Sequence, residues 1–181
     1  MNEAFLRTQM LLGADALDKL SRCHVIVFGL GGVGSYAAEC LARSGVGELT
    51  LVDQDTVSVT NINRQLCALH STVGQSKAEV TARRCRDISP SAVIHPICAT
   101  YDAAHREDFF SARYDYIADC IDLVTCKLDL IQQAMNETGG AGARQMTIVL
   151  QLDRRELGRA VYQLNNEETQ RVGVRLAGAK A

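Results

Sequence analysis

The sequence predicts an α/β protein with a doubly wound, mostly parallel sheet and helices on both faces. Short apolar runs typical of buried strands alternate with longer segments typical of helices, and this alternation favours a parallel sheet. The first apolar run, His24–Phe28, leads directly into closely spaced glycines and then into a helical pattern. This order is Rossmann-like, and it predicts a ligand crevice beyond the carboxyl ends of the strands.

The remaining elements follow in chain order. We predict helices over 5–20 (interrupted at Gly13), 35–44, 74–88, 102–111 and 123–135, and strands over 24–28, 49–52, 93–98, 114–119 and 147–152. Residues 56–70 form a polar, irregular loop of a length that is more often functional than idle. We expect a single domain, with a helical arm over 1–22, a nucleotide-binding core over 23–152 and a carboxy-terminal region over 153–181.

Composition excludes several classes of protein. A formal net charge of −2 gives no general attraction to nucleic acid, so an RNA partner would need a local basic patch. No apolar run approaches the roughly 18 residues of a membrane-spanning helix, and we expect a cytoplasmic protein without a membrane partner. The seven cysteines form no C-x-x-C pair and the four histidines show no metal-ligand spacing. We therefore expect reduced thiols and no structural zinc site.

The glycine turn predicts a nucleotide site. Glycines at 29, 31, 32 and 34 would let a phosphate approach the backbone at the amino-terminus of the following helix. The second strand ends at Asp53, with Asp55 close behind, and an acid at this position can accept hydrogen bonds from ribose hydroxyls.

Charged and amide side chains are predicted to converge on that turn. The loop after the second strand supplies Asn61, Arg64 and Gln65; the next helix starts near Lys77, and Asp122 follows the fourth strand. Cations offset charge that develops on phosphates, and a carboxylate can hold Mg²⁺, so this set favours attack at the α-phosphorus of ATP. Plainer interpretations stay open: Arg64 as a helix cap, Lys77 as a solvated charge and Asp122 as an N-cap.

Five motifs occur in order: GLGGVGS at 29–35, LVDQDTV at 51–57, TNINRQ at 60–65, VGQSK at 73–77 and DCID at 119–122. In these motifs the chain resembles the adenylating superfamily of ubiquitin-activating-like enzymes, which includes the thiamine and molybdopterin sulfur-carrier adenylyltransferases (the ThiF and MoeB types). RTQMLLG at 7–13, ARSGVG at 42–47, NINRQ at 61–65 and GGAG at 139–142 most resemble the tRNA threonylcarbamoyladenosine dehydratases of that superfamily.

The resemblance implies a role for each matching residue. It implies that the nucleotide lies on Gly29, Gly31, Gly32 and Gly34, with Asp53 on the ribose, Asn61, Arg64, Gln65 and Lys77 around the triphosphate, and Asp122 at Mg²⁺. Asp55 is also expected among the cofactor-binding residues. It also implies that Arg7 reaches the ATP of a partner subunit, and hence a homodimer. Arg7, Arg64, Lys77 and Asp122 are the expected catalytic residues.

The implied function is an ATP-dependent, tRNA-modifying dehydratase. It would activate the carboxylate of N6-threonylcarbamoyladenosine by adenylation and cyclise it with loss of water. tRNA is the expected partner, and a sulfur-transfer protein is an additional candidate. Two alternatives stay open: a sulfur-carrier or ubiquitin-like protein adenylyltransferase, disfavoured because no cysteine follows Cys126, and a non-catalytic ATP-binding partner protein. A nicotinamide-dependent oxidoreductase would leave Arg64, Lys77 and Asp122 without a role.

The resemblance weakens after Met135. Relatives carry a further apolar strand there, whereas residues 136–138 lead directly into Gly139. The Asp-Pro pair of the family is missing, because Gln145 is followed by Met146, and residues 153–181 are expected to be a shortened carboxy-terminal region. These departures bear on the acceptor-binding half more than on the ATP half.

Overall fold

The computed structural model describes residues 3–122 together with residues 126, 129 and 130. Its sheet consists of four parallel strands, β1 (His24–Phe28), β2 (Glu48–Val52), β3 (Val93–Ile97) and β4 (Tyr116–Asp119), in the spatial order β3-β2-β1-β4. The chain runs outward from β1 to β3 and then crosses back to place β4 on the other side of β1. This order defines a doubly wound sheet whose switch point lies between β1 and β4.

Between residues 3 and 122 the chain forms five α-helices: α1 (Leu6–Leu12), α2 (Ala14–Ser21), α3 (Gly34–Ser44), α4 (Lys77–Ile88) and α5 (Arg106–Phe109). Short 3₁₀ turns occur at Glu3–Phe5, Val59–Asn61, His70–Thr72 and Ala103–His105. None of the helices within the described residues is long and apolar enough to cross a membrane.

Alternation along β1 explains why both faces of the sheet are covered. Val25 and Val27 belong to a buried cluster that includes Ala38 of α3 and Ala82 of α4. Their neighbours Ile26 and Phe28 point the other way, into a second cluster that includes Phe109 of α5 and Leu130. A strand buried on both faces reads as a continuous apolar run, as β1 does. The predicted α/β fold class with helices on both faces is confirmed.

Three predicted elements differ from the structure by more than one residue at a boundary. The predicted helix over 102–111 is a 3₁₀ turn at Ala103–His105 followed by the short helix α5 (Arg106–Phe109). Helix α4 begins at Lys77, not at Gly74, because Gly74 takes a left-handed conformation (φ 82°) and the Ser76 hydroxyl caps the helix by accepting a hydrogen bond from the Glu79 amide. Strand β4 begins at Tyr116, two residues after the predicted start. Of the predicted helix over 123–135, only residues 126, 129 and 130 are described, and all three are helical. The predicted elements at 139–143 and 147–152, and the region 153–181, lie outside the described residues.

The helical arm is interrupted where the sequence predicted. Gly13 separates α1 from α2 with φ 88° and ψ 163°, a conformation that side-chain-bearing residues rarely adopt. Arg7 lies in α1 and is exposed to solvent.

Candidate functional site

A cavity of about 330 Å³ lies at the carboxyl ends of the strands. Segments that follow all four strands contribute to its wall, as expected for a crevice at the switch point of a doubly wound sheet. Its polar lining consists of Asp53, Gln54, Asp55, Asn61, Arg64, Gln65, Lys77, Thr100 and Asp122. Its other lining residues are Phe28, Gly29, Gly31, Val52, Ala99, Tyr101, Cys120, Ile121 and Cys126. One site thus combines an apolar surface suited to a ring system with charged groups suited to phosphates.

Two glycines of the turn are required by the fold itself. Gly29 has φ 82°, and a Cβ there would lie 2.8 Å from the carbonyl oxygen of Cys120. A Cβ at Gly34 would lie 1.7 Å from the carbonyl oxygen of Gly29, so any side chain would force the helix start away from the turn. These two positions are glycine because strand, turn and helix pack closely.

Gly31 has no comparable reason in the packing of the chain. Its φ is not positive, and the nearest atom to a Cβ would be Nε2 of Gln65, at 3.8 Å. Gly31 nevertheless lines the cavity. A Cβ there would take space from whatever approaches the backbone, which is the arrangement that a phosphate-binding turn requires.

Ser35 joins the glycine turn to the irregular loop. Its hydroxyl donates to the carbonyl of Gly31 at 2.6 Å and accepts from the amide of Leu66 at 3.2 Å. The neighbouring Gln65 is buried, and its Oε1 has no hydrogen-bond partner among the described residues. A buried amide oxygen without a partner is costly, so a donor group of a ligand in the cavity would stabilise this arrangement.

Asp53 is held by the backbone on both sides. One carboxylate oxygen accepts from the amide of Leu30 at 2.7 Å and the other from the amide of Asp55 at 2.8 Å. The first bond connects the end of β2 to Leu30 within the glycine turn. Asp53 therefore fixes the relative position of the two loops, and it remains half-exposed to the cavity that it lines.

Lys77 is buried, so the plainer interpretation of it as a solvated charge at a helix start is wrong. Its side chain is only 7% exposed, and its ammonium group lies 2.8 Å from a carboxylate oxygen of Asp55, which is 57% exposed. The pairing is local in origin: Thr56 and Ser76 form an isolated β-bridge, and the Lys77 amide donates to the carbonyl of Asp55 at 3.0 Å. The loop after β2 and the start of α4 thereby hold a buried cation against the cavity.

Arg64 and Asn61 complete the polar wall. Arg64 is exposed and donates to the carbonyl of Thr60 at 2.9 Å and to Oδ1 of Asn63 at 3.1 Å. The buried Asn61 side chain accepts from the amide of Ser58 at 2.9 Å, which closes the turn that carries it. Arg64 is anchored by its own loop, and no carboxylate among the described residues pairs with it, so its charge is available to an anion.

Asp122 fits a magnesium ligand. It is exposed at the cavity and, within the described part of the chain, carries no hydrogen bond or ion pair, whereas Asp53 is bonded to the backbone and Asp55 is paired with Lys77. Mg²⁺ in nucleotide sites is held by one or two carboxylates together with phosphate oxygens and water. The donor set therefore suits this ion.

The apolar end of the cavity is rigid. Tyr101 is buried and packs at a tilt against Phe28, with ring centroids 4.8 Å apart. Its hydroxyl donates a hydrogen bond to the Asp129 carboxylate at 2.5 Å. Burial, and then the hydrogen bond to Asp129, raise the pKa of Tyr101 well above its usual value. Arg106 donates to the same carboxylate at 2.9 Å. The tyrosine is thereby fixed as a neutral wall. Its part in the cavity was not predicted, although its place just after β3 is a signal that could have revealed it.

The predicted site residues largely converge. Gly32 and Gly34 belong to the turn but do not line the cavity, and Arg7 lies in α1 away from the cavity lining. All other predicted residues are brought together: Gly29, Gly31, Asp53, Asp55, Asn61, Arg64, Gln65, Lys77 and Asp122.

A second polar group was missed. His24, Glu48 and His95 lie close together on the neighbouring strands β1, β2 and β3. The sequence showed no ligand spacing because the three residues sit on three different strands.

Comparison with known proteins identifies a family match. The profile of the ThiF family matches residues 5–148. The tRNA threonylcarbamoyladenosine dehydratase of Bacillus subtilis is 42% identical over 135 residues, which cover 75% of this chain and 53% of that protein. The protein of the same name from Escherichia coli is 41% identical over 148 residues, 78% of this chain and 55% of that protein. The chain spans about half the length of these curated relatives.

A solved structure agrees with the fold. The crystal structure of the Escherichia coli tRNA N6-threonylcarbamoyladenosine dehydratase in complex with ATP superposes with a TM-score of 0.79 at 32% identity. The superposition covers 97% of this chain and 76% of that one.

Proposed function

The chain belongs to the ThiF family, and from that premise we propose that it is an ATP-dependent tRNA threonylcarbamoyladenosine dehydratase. The observation that carries this proposal is the single cavity in which the glycine turn meets Arg64, Lys77 and Asp122. A dinucleotide pyrophosphate is held mainly by backbone amides, so two cations and a carboxylate at the turn favour reaction at a phosphate.

In the first step, the carboxylate of the modified adenosine attacks the α-phosphorus of ATP. The bond between the α-phosphorus and the bridging oxygen breaks, pyrophosphate leaves with that electron pair, and an acyl-adenylate forms. Positioning and charge stabilisation carry this step. We assign the phosphates to the backbone around Gly31 and to Arg64 and Lys77, and the ribose to Asp53.

In the second step, the carbamoyl oxygen of the same nucleoside attacks the activated carbonyl carbon. AMP leaves with the former carboxylate oxygen, one N–H proton of the carbamoyl group is released to water, and the ring closes, so the modification loses one water overall. Asp122 would hold Mg²⁺, which supplies positive charge to the phosphates during the first step. Asn61 and Gln65 are assigned to orienting polar groups of the nucleotide.

The partner assignments are part of this proposal. tRNA carrying the modification is the proposed substrate, and the cytoplasm is the proposed location. Arg7 is exposed on α1, and we assign it to the ATP of the second subunit of a homodimer. A sulfur-transfer protein remains an additional partner to test.

The test is a reaction of the chain with ATP, Mg²⁺ and tRNA that carries N6-threonylcarbamoyladenosine. We expect the nucleosides released from the tRNA to lose one water by mass spectrometry, with one AMP formed per ring closed. An Asp122→Asn variant that still binds ATP is the matched control and should form no product. Exchange of pyrophosphate into ATP with a sulfur-carrier peptide but not with tRNA would instead identify a sulfur-carrier adenylyltransferase. ATP binding without either reaction would identify a non-catalytic protein.

A further inference from the structure

His24, Glu48 and His95 form a polar group on three neighbouring strands. His24 opens β1, Glu48 opens β2, and His95 lies in β3. The nucleotide cavity lies at the carboxyl ends of the strands, whereas His24 and Glu48 lie at the amino ends of β1 and β2, and His95 lies in the middle of β3. The group belongs to no part of the proposed reaction.

The register of the sheet explains why these side chains meet. His24 pairs with Glu48 across β1 and β2, and Thr50 pairs with His95 across β2 and β3. Side chains two residues apart on a strand share a face, so Glu48 and Thr50 point to the same side as both histidines. The sheet therefore presents two imidazoles and a carboxylate on one face.

The distances within the group suit a metal ion. Oε1 of Glu48 lies 2.8 Å from Nε2 of His95 and 3.7 Å from Nδ1 of His24. One donor atom from each residue lies within 4.8 Å of the other two. Ligand atoms about 2.0–2.2 Å from a tetrahedral zinc ion lie roughly 3.3–3.6 Å apart. Glu48 and His95 are hydrogen-bonded at 2.8 Å, so this pair would open by less than about 1 Å to admit the ion.

His24 is prepared for such a role by its surroundings. Its other ring nitrogen, Nε2, lies 2.8 Å from the hydroxyl of Thr50, which orients the ring as an outer partner of a metal-bound histidine does. Tyr114 packs edge-on against the ring with centroids 4.5 Å apart, and the His24 side chain is only 12% exposed.

We propose that His24 Nδ1, Glu48 Oε1 and His95 Nε2 bind a divalent transition-metal ion of the zinc class. Two imidazoles and one carboxylate form a ligand set that zinc favours, and the exposed sides of Glu48 (39%) and His95 (47%) leave a fourth position for water. The ion would link β1, β2 and β3 across the sheet and so stabilise the fold, in contrast to Mg²⁺ at the nucleotide.

Cobalt binding tests the proposal, because Co²⁺ reports its ligands by its absorption spectrum. The full chain, stripped of metal and kept reduced, is titrated with Co²⁺ and then with Zn²⁺. We expect one equivalent of Co²⁺ with visible ligand-field bands and without the near-ultraviolet band of thiolate ligation, and we expect Zn²⁺ to displace it. This readout separates the proposed site from the seven cysteines.

Variants at exposed positions keep the test independent of folding. His95→Gln and Glu48→Gln should each weaken Co²⁺ and Zn²⁺ binding by at least about tenfold, since each removes one of three ligands. They should also abolish the rise in Tm that Zn²⁺ gives the unchanged chain. His105→Gln is the matched control: His105 is exposed, pairs with Asp102 at 2.9 Å and lies outside the group.

Three results would overturn the metal site: unchanged binding in both ligand variants, an equal loss in His105→Gln, or Co²⁺ held only through thiolates. ATP binding is measured on the same samples with Mg²⁺ alone. None of the three ligands lines the nucleotide cavity, so we expect His95→Gln to bind ATP as tightly as the unchanged chain. A negative result in the metal titrations would therefore leave the proposed function unaffected.

Discussion

Gly31→Ala separates a glycine kept for a ligand from one kept for the fold. The nearest atom to the added methyl would be 3.8 Å away, and the φ of Gly31 is not in the left-handed region. The variant should therefore fold, with a free energy of unfolding equal to or higher by about 0.4–1 kcal/mol than that of the unchanged chain, because alanine has fewer unfolded conformations to lose.

The same methyl should impair ATP binding. If it displaces a phosphate from one charge-assisted backbone hydrogen bond, the loss is about 1.5–3 kcal/mol, or roughly 10- to 150-fold in Kd. Calorimetric titration with ATP measures the affinity, and urea denaturation of the same preparation measures the stability.

Gly34→Ala is the contrasting variant. Its Cβ would lie 1.7 Å from the carbonyl oxygen of Gly29, so it should lose at least about 1–3 kcal/mol of stability through overpacking. If Gly31→Ala is folded and binds ATP like the unchanged chain, the phosphates do not approach the turn at Gly31. If Gly31→Ala unfolds as readily as Gly34→Ala, the proposed distinction between the two glycines is wrong.

Three further predictions concern the cavity wall. Lys77→Met should reduce turnover, measured as AMP formation, by about 10²–10³-fold. Its free energy of unfolding in urea should change by at most about 1 kcal/mol, because the partner Asp55 is 57% exposed and stays hydrated. A near-normal rate would exclude a role for the ammonium group. Arg64→Ala should abolish turnover and leave the free energy of unfolding within about 0.5 kcal/mol, since the side chain is exposed and bonds only to its own loop; full activity would refute its assignment. Tyr101→Phe should lower stability in urea by about 1.5–3 kcal/mol, since the hydroxyl donates to the Asp129 carboxylate; an unchanged midpoint would mean that this bond does not hold the cavity wall.

Much of the polar wall of the cavity could be predicted from the sequence, because several of its residues directly follow strand ends. Asp53 follows β2 and Asp122 follows β4, and the carboxyl ends of parallel strands meet at one edge whatever their order. Burial of Lys77 could not be foreseen, because it depends on the β-bridge between Thr56 and Ser76, a contact between two loops.

The group of His24, Glu48 and His95 was beyond prediction for a related reason. Its members share a face only because β2 lies between β1 and β3 in one particular register. A shift by one residue would turn each side chain to the other face. Periodicity within a single strand contains no information on that register, so the histidines had no visible partners.

The pairing of Lys77 with Asp55 bears on the proposed reaction at ATP. A free lysine on a helix start would lose side-chain freedom and hydration on meeting a phosphate. Here the lysine side chain as a whole is only 7% exposed, and its ammonium group is held in place by an Asp55 carboxylate whose side chain is 57% exposed. Lys77 therefore loses much of its side-chain freedom and hydration during folding and not when a phosphate binds. A charge fixed in this way stabilises a transition state more than a mobile charge does. The glycine turn alone would bind a phosphate. Because Lys77 lines the same cavity, the proposed site also has a fixed positive charge that can stabilise reaction at that phosphate.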